Sequence, residues 1–142
     1  MKKYYLGYTQ GVYDMFHIGH LNLIKKAASQ CDRLLVGINS DTLVESYKHK
    51  KPVVAQNDRL EIIKSLKFVD DAFVVNTLDK VSLWKDYHFD VIFIGDDWKG
   101  NPRWEQTCID LKPYGVDVVF LPYTKNISSS LLRPMLSERI TE

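Results

Sequence analysis

The sequence predicts an α/β fold in which helices cover both faces of a parallel five-stranded sheet. Short apolar runs of strand length, such as residues 33–38 and 90–95, alternate along the chain with segments of helical spacing. These runs are apolar at nearly every position, which is typical of strands buried on both faces. Strands that alternate with helices are joined by right-handed crossovers and lie parallel in one sheet.

The elements follow in order from this alternation. The predicted strands are residues 4–9, 33–38, 72–75, 90–95 and 116–121, and the predicted helices are residues 18–29, 58–66, 79–87, 101–111 and 128–136. Asn57 or Asp58 is expected to cap the second helix, and Pro102 suits the start of the fourth. Residues 39–53 are polar and rich in lysine, so we expect either a solvated loop or a flap that closes over phosphates.

Composition narrows the class of protein. The chain has 142 residues, 45% of them hydrophobic and 26% charged, with a net charge of +1. These values predict one soluble domain over residues 1–142 and give no reason to expect a nucleic-acid or membrane partner. The N-terminal residues lack the apolar core of a signal peptide. Two cysteines without a C-x-x-C motif indicate a reduced, cytoplasmic setting.

The most specific stretch is residues 11–20, GVYDMFHIGH, between the first predicted strand and the first predicted helix. His17 and His20 are three residues apart and share one face of the first helical turn. A helix N-terminus attracts anions, and Gly19 leaves room for a ligand against the backbone. Two simpler interpretations stay open: a histidine here can cap the helix, and two histidines can bind a metal, although no Cys or Glu cluster accompanies them.

Two further polar stretches follow predicted strands. Asp96 and Asp97 come directly after the fourth strand, where carboxylates bind Mg²⁺, contact a hydroxyl group or turn the chain. We expect Asp96 to make the contact, Asp97 to form the turn, and Trp98 to pack. The serines at 128–130 open the last predicted helix, either as caps or as a second anion site. Because the polar stretches follow strands one, four and five, they are expected to meet at one crevice at the carboxyl edge of the sheet.

The pattern G-x-Y/F-D-x-x-H-x-G-H after a first strand resembles the nucleotidyltransferases of the cytidylyltransferase type, also known by their HxGH motif. Residues 95–98, GDDW, are similar to a stretch of the bacterial glycerol-3-phosphate cytidylyltransferases. The resemblance extends from Tyr4 to about Leu132. It implies a single nucleotidyltransferase domain with a Rossmann-like three-layer fold and a strand order of about 3-2-1-4-5.

The resemblance also implies an activity. The enzyme would convert CTP and a phosphorylated small alcohol, with glycerol 3-phosphate as the best guess, into CDP-glycerol and pyrophosphate. The CDP-glycerol would be a precursor of cell-surface polymers. Mg²⁺ would accompany the CTP, and the enzyme would be a cytoplasmic homodimer without a protein metal site. Two alternatives remain: an adenylyltransferase of the same superfamily, and a nucleotide-binding regulatory module without turnover.

Site residues carry over from the family by position. The implied catalytic residues are His17, His20, Lys48 and Lys50. The implied nucleotide contacts are Gly11, Val12, Tyr13, His17, Gly19, His20, Asp96, Thr124, Ile127, Ser128 and Ser129. The implied acceptor contacts are Asp14, Arg59 and Asp70, although Arg59 also suits a surface ion pair and Asp70 a turn. The chain departs from the family pattern R-T-E-G-I-S-T at Tyr123, Lys125 and Asn126, and it has Leu78 where the family has a tryptophan.

Overall fold

Five parallel strands form one sheet with the order 3-2-1-4-5 in a computed structural model of the protein, which describes residues 3–122. The strands are β1 (Tyr4–Gly11), β2 (Cys31–Asn39), β3 (Asp71–Val75), β4 (Val91–Gly95) and β5 (Asp117–Leu121). The helices are α1 (Ile18–Ala28), α2 (Asp41–Lys48), α3 (Gln56–Lys64), α4 (Lys80–Tyr87) and α5 (Pro102–Leu111). Two 3₁₀ turns cover Asp96–Trp98 and Lys112–Tyr114. The predicted fold class and strand order are confirmed.

Two separate cores hold the three layers together. Helices α1 and α3 bury Ile24 and Ile63 against one face of the sheet. Helices α4 and α5 bury Leu83 and Leu111 against the other face. Successive residues of a strand point to opposite faces, so each strand contributes to both cores.

Strand β1 lies at the centre of the sheet and pairs in parallel with both β2 and β4. From β1 the chain passes outward through β2 and β3, then returns to β4 and passes outward again to β5. The connections therefore leave β1 and β4 in opposite directions. This reversal opens a crevice beyond the carboxyl ends of the two strands, where open α/β sheets bind their ligands.

The stretch between β2 and α3 corrects the sequence prediction. Instead of the continuous polar loop predicted over residues 39–53, residues 41–48 form α2. The Ser40 hydroxyl accepts a hydrogen bond from the Leu43 amide at 3.1 Å and caps the helix. Only Val44 of this short helix is buried, so its apolar periodicity was too weak to reveal it.

The start of α5 agrees with the prediction, whereas the start of α3 does not. Helix α3 begins at Gln56 after Ala55, which gives no side-chain cap, so the expected cap at Asn57 or Asp58 was wrong. Asn101 caps α5, and Pro102 occupies the start of that helix as predicted. The predicted helix at 128–136 lies outside the described residues. Within residues 3–122, no helix has the length and apolar character needed to cross a bilayer.

Candidate active site

A cavity of about 320 Å³ opens at the reversal between β1 and β4. Its walls come from the turn after β1, the first turn of α1, the ends of β2 and α2, the start of α4, the end of β4, and α5. The structure thus brings the histidine motif together with the GDDW stretch. The serine-rich stretch, with Thr124, Ile127, Ser128 and Ser129, lies outside the described residues.

The two histidines of the motif hold each other in place. His17 is the N-cap of α1, and its Nδ1 accepts a hydrogen bond from the Gly19 amide at 3.0 Å. Nδ1 of His20 accepts a hydrogen bond in turn from the His17 amide at 3.2 Å. The two rings stack with their centroids 3.8 Å apart. The capping interpretation is therefore confirmed for His17, and because the cap uses Nδ1, Nε2 stays available to a ligand.

Both imidazoles are neutral at pH 7. Burial lowers the pKa of His17. Burial, followed by the neighbouring His17, lowers the pKa of His20 to about 3. Because Nδ1 is an acceptor in each neutral ring, the proton lies on Nε2. Nε2 of His17 is buried and has no hydrogen-bond partner among the described residues. The site thus contains a fixed N–H donor that requires an acceptor.

The turn after β1 supports the histidines. Gly11, Val12 and Tyr13 line the cavity, and the Tyr13 ring meets the His20 ring edge-on with the centroids 5.4 Å apart. The Asp14 carboxylate accepts backbone hydrogen bonds from Val53 and Val54, both at 2.8 Å. Asp14 also lines the cavity, and these bonds fasten the chain beyond α2 beneath the site.

The two lysines of the polar stretch, Lys48 and Lys50, differ in their position relative to the cavity. Lys48 is the last residue of α2 and lines the cavity. Lys50 lies in the exposed bend beyond this helix and does not line the cavity. Of the two lysines predicted to act on phosphates, the structure brings only Lys48 to the site.

Arg59 does not reach the cavity, which corrects the expectation of an acceptor contact. It is 1% exposed and forms a 2.6 Å ion pair with Asp41. It also donates to the carbonyl oxygens of Val12, Asn39 and Val54. Its charge therefore holds three segments together beneath the site.

Asp70 lies at the wrong edge of the sheet for an acceptor contact. It precedes β3, whereas the cavity opens beyond the carboxyl ends of the strands. Its Oδ2 accepts a hydrogen bond from the Leu34 amide at 2.7 Å, and its own amide donates to the Leu34 carbonyl at 3.0 Å. Asp70 therefore fixes the start of β3 beside β2.

The two carboxylates of the GDDW stretch are placed differently from the expectation. Asp97 and Trp98 line the cavity, whereas Asp96 does not. The 3₁₀ turn over Asp96–Trp98 rotates the second carboxylate toward the site. Burial raises the pKa of Asp97. Trp98 is 43% exposed at the cavity wall, so it is available to a ligand.

Lys80 is a site residue that the sequence analysis missed. It is 7% exposed, lines the cavity, and its Nζ donates to the Leu78 carbonyl at 2.9 Å. The ammonium lies 5.1 Å from the centre of the Trp104 ring. Burial, followed by Arg103, lowers the pKa of Lys80 to about 8. A lone lysine at the start of a helix carries no sequence signature, so only the fold could reveal it.

Comparison with known proteins agrees with this geometry. A family model described as cytidylyltransferase-like matches residues 8–135. The chain is 32% identical over 126 residues to glycerol-3-phosphate cytidylyltransferase of Bacillus spizizenii, a match that covers 88% of this chain and 92% of that protein. It is also 32% identical over 117 residues to FAD synthase of Thermococcus kodakarensis, with 80% of this chain and 76% of that protein covered.

A solved structure supports the same relationship. The lipopolysaccharide core biosynthesis protein from Thermoplasma volcanium superposes with a TM-score of 0.74 at 26% identity, covering 86% of this chain and 99% of that one. The family model spans residues 8–135, which is most of the chain. The chain therefore belongs to the cytidylyltransferase-like family of nucleotidyltransferases.

Proposed function

We propose that this protein transfers CMP from CTP to the phosphate of a small phosphorylated alcohol, with glycerol 3-phosphate as the favoured acceptor and CDP-glycerol as the product. The similarity to the Bacillus spizizenii protein supports this choice over most of the chain. The equal identity to an FAD synthase keeps adenylyl transfer from ATP as the second candidate.

The observation that carries the proposal is the unpaired Nε2–H of His17. A buried donor without a partner costs about 1–3 kcal/mol, and an oxygen of a bound phosphoryl group would relieve that cost. Since His17 and His20 are both neutral, they act as hydrogen-bond donors rather than as cations. Their rigid stacking fixes the donors before the substrate arrives, as electrostatic catalysis requires.

The proposed reaction is one in-line displacement. An oxygen of the acceptor phosphate attacks the α-phosphorus of CTP, the bond from that phosphorus to the bridging oxygen breaks, and pyrophosphate leaves. Charge gathers on the α-phosphoryl oxygens and on the leaving group, where the two histidines and Lys48 would donate. Mg²⁺ would enter with the triphosphate. The phosphate oxygens of the triphosphate would supply most of its ligands.

Strand order gives the cavity two halves. We divide its lining residues into a nucleotide half, with Ile94, Gly95, Asp97, Trp98 and Pro122, and an acceptor half, with Asn39, Tyr47, Leu78, Lys80 and Arg103. We assign the nucleotide to the first half because the family places its nucleotide-binding serines just after β5. The histidines lie between the halves on the central strand's turn, where the α-phosphorus would be held.

Lys80 and Arg103 are the proposed partners of the acceptor phosphate. Both line the cavity, and Lys80 is charged at pH 7 although it is nearly buried. A bound phosphate would supply the negative charge that this buried ammonium lacks. These two cations would also repel the ammonium of a choline or ethanolamine acceptor, which favours a polyol phosphate.

The experiment is a screen of pyrophosphate release with four nucleoside triphosphates against glycerol 3-phosphate, other polyol phosphates, phosphocholine and phosphoethanolamine. We expect the highest kcat/KM for CTP with a polyol phosphate. A CTP-to-ATP ratio at or below one would overturn the cytidylyl assignment and favour the ATP-dependent candidate. Nucleotide binding without turnover for any acceptor would favour a regulatory module.

A further inference from the structure

Four polar side chains form a continuous hydrogen-bond chain from the core to the cavity. The Tyr8 hydroxyl donates to Oε1 of Gln10 at 2.6 Å. Nε2 of Gln10 donates to Oδ1 of Asn39 at 2.8 Å. Nδ2 of Asn39 then donates to the Tyr47 hydroxyl at 3.1 Å. Gln10, Asn39 and Tyr47 all line the cavity, and none of these three is given a contact with a substrate above.

A backbone carbonyl fixes the direction of every bond in this chain. Nε2 of Gln10 also lies 3.1 Å from the carbonyl oxygen of Thr77, which can only accept. The amide nitrogen of Gln10 must therefore face Thr77 and Asn39, and its oxygen must face Tyr8. Asn39 consequently turns its oxygen to Gln10 and its nitrogen to Tyr47.

The inner end of the chain is rigid. Tyr8 is fully buried, and its ring stacks on the Phe89 ring with the centroids 4.8 Å apart. Its hydroxyl occupies the space above Gly37, where a Cβ atom would lie 2.1 Å from the hydroxyl oxygen. The lone pair that Tyr47 uses for Asn39 is thus set by contacts deep in the sheet.

This polarity determines what the Tyr47 hydroxyl can do. Its oxygen accepts from Asn39, so its own hydrogen points elsewhere. No described residue accepts that hydrogen, and the side chain is 37% exposed at the cavity wall. Tyr47 therefore has an O–H donor that is available to a ligand at the cavity wall.

We infer that Tyr47 is a substrate-binding residue that donates a hydrogen bond to a carbon-chain hydroxyl of the acceptor, so that the enzyme selects hydroxylated phosphates. This inference rests on the proposed function. The phosphate of the acceptor has cationic partners in Lys80 and Arg103, whereas the neutral phenol is suited to a neutral hydroxyl.

The test compares Tyr47→Phe with Tyr5→Phe. Tyr5 is 61% exposed on β1 and does not line the cavity, so it is the matched control. We expect Tyr47→Phe to raise the KM for glycerol 3-phosphate about tenfold, the size of one lost hydrogen bond, and to change the KM for CTP less than twofold. Tyr5→Phe should change neither constant, and both variants should keep the melting temperature of the wild-type protein.

Acceptors that lack one hydroxyl identify which hydroxyl of the acceptor bonds to Tyr47. We would assay 3-hydroxypropyl phosphate and 2-hydroxypropyl phosphate, each of which lacks one hydroxyl of glycerol 3-phosphate. For one of them, the wild-type enzyme should lose about tenfold in kcat/KM while Tyr47→Phe loses nothing further, because the two deletions remove the same hydrogen bond.

The outcomes separate this inference from the proposed function. If no hydroxylated phosphate is turned over by the wild-type enzyme, both are overturned. If glycerol 3-phosphate is turned over but the KM of Tyr47→Phe is unchanged, only the role of Tyr47 is overturned. Equal further losses for both deoxy acceptors in the variant would also overturn that role.

Discussion

Arg59 and Asp41 form an ion pair of 2.6 Å in which the arginine side chain is fully buried and the aspartate is partly exposed. The pair joins the first turn of α2 to α3, and the same guanidinium reaches the turn after β1 through Val12. The floor of the candidate site therefore depends on a charge that does not line the cavity.

Arg59→Met should destabilise the protein rather than impair acceptor binding. Loss of the guanidinium leaves three carbonyl oxygens without their donor and Asp41 without its partner, a change that typically costs about 3–5 kcal/mol. Urea unfolding measures this loss. Asp41→Asn should cost less, and Asp32→Asn, at an exposed site, should stay within about 0.5 kcal/mol of the wild-type protein. Unchanged stability with a raised acceptor KM would instead restore the acceptor contact predicted from the sequence.

His17→Asn separates the two roles of His17. Asparagine is a good N-cap, so its side-chain oxygen can accept from the Gly19 amide as Nδ1 does, but it offers nothing in place of Nε2–H. We expect kcat to fall about 10²–10³-fold while the free energy of unfolding stays near that of the wild-type protein. His17→Ala should lose both activity and about 1 kcal/mol of stability. Near-normal turnover by His17→Asn would contradict the proposed catalytic role.

Lys80 should make acceptor binding dependent on pH. Its pKa is lowered to about 8, so its ammonium is charged at pH 7 and loses its proton as the pH rises through 8. Since an anionic acceptor binds the charged form, the acceptor KM should rise between pH 8 and about 9.5. In Lys80→Met the KM should be about tenfold higher at pH 7 and no longer change with pH over this range.

Lys85→Met is the matched control for Lys80, because Lys85 lies exposed on the same helix. It should keep the wild-type pH profile. Lys80→Met should also be at least as stable as the wild-type protein, since methionine removes the cost of burying a charge. An acceptor KM with the same pH dependence in wild-type and Lys80→Met would rule out the phosphate contact.

Limited proteolysis with trypsin should show whether nucleotide binding protects the segment beyond α2. The Asp14 carboxylate holds Val53 and Val54, and α2 ends at Lys48, so residues 49–52 form a largely exposed link between two held segments. We expect cleavage after Lys48 or Lys50, since Pro52 protects the bond after Lys51. CTP with Mg²⁺ should slow this cleavage, because Lys48 gains phosphate partners. Equal rates with and without the nucleotide would argue against closure over phosphates.

The strands and longer helices were predictable because their buried positions repeat in the sequence. Residues 91–95, for example, are buried throughout, and the apolar sequence there indicated it directly. Helix α2 was not predicted because most of its surface faces solvent. Its first residue, Asp41, is also recognisable only as the partner of Arg59 once the fold brings the two together.

The candidate site was predictable where a motif is local and not where it is assembled from distant residues. His17 and His20 lie within one helical turn, so their spacing was sufficient. The direction of Asp97 depended on a 3₁₀ turn, and the burial of Lys80 on the packing of α4 against α5. Asp70 was wrongly predicted to contact the acceptor, because its residue type does not show at which edge of the sheet it lies.

The Tyr8 hydroxyl and Gly37 also constrain how this protein can diverge. Glycine inside a strand costs about 0.5–1 kcal/mol relative to alanine, so Gly37 persists only while the phenol occupies the adjacent space. Loss of the hydroxyl alone does not make room for alanine at position 37, because its Cβ atom would still lie 2.9 Å from Cζ and 3.2 Å from Cε1 of the ring at position 8. A side chain at position 37 therefore requires a residue smaller than phenylalanine at position 8, so the two positions are expected to change together.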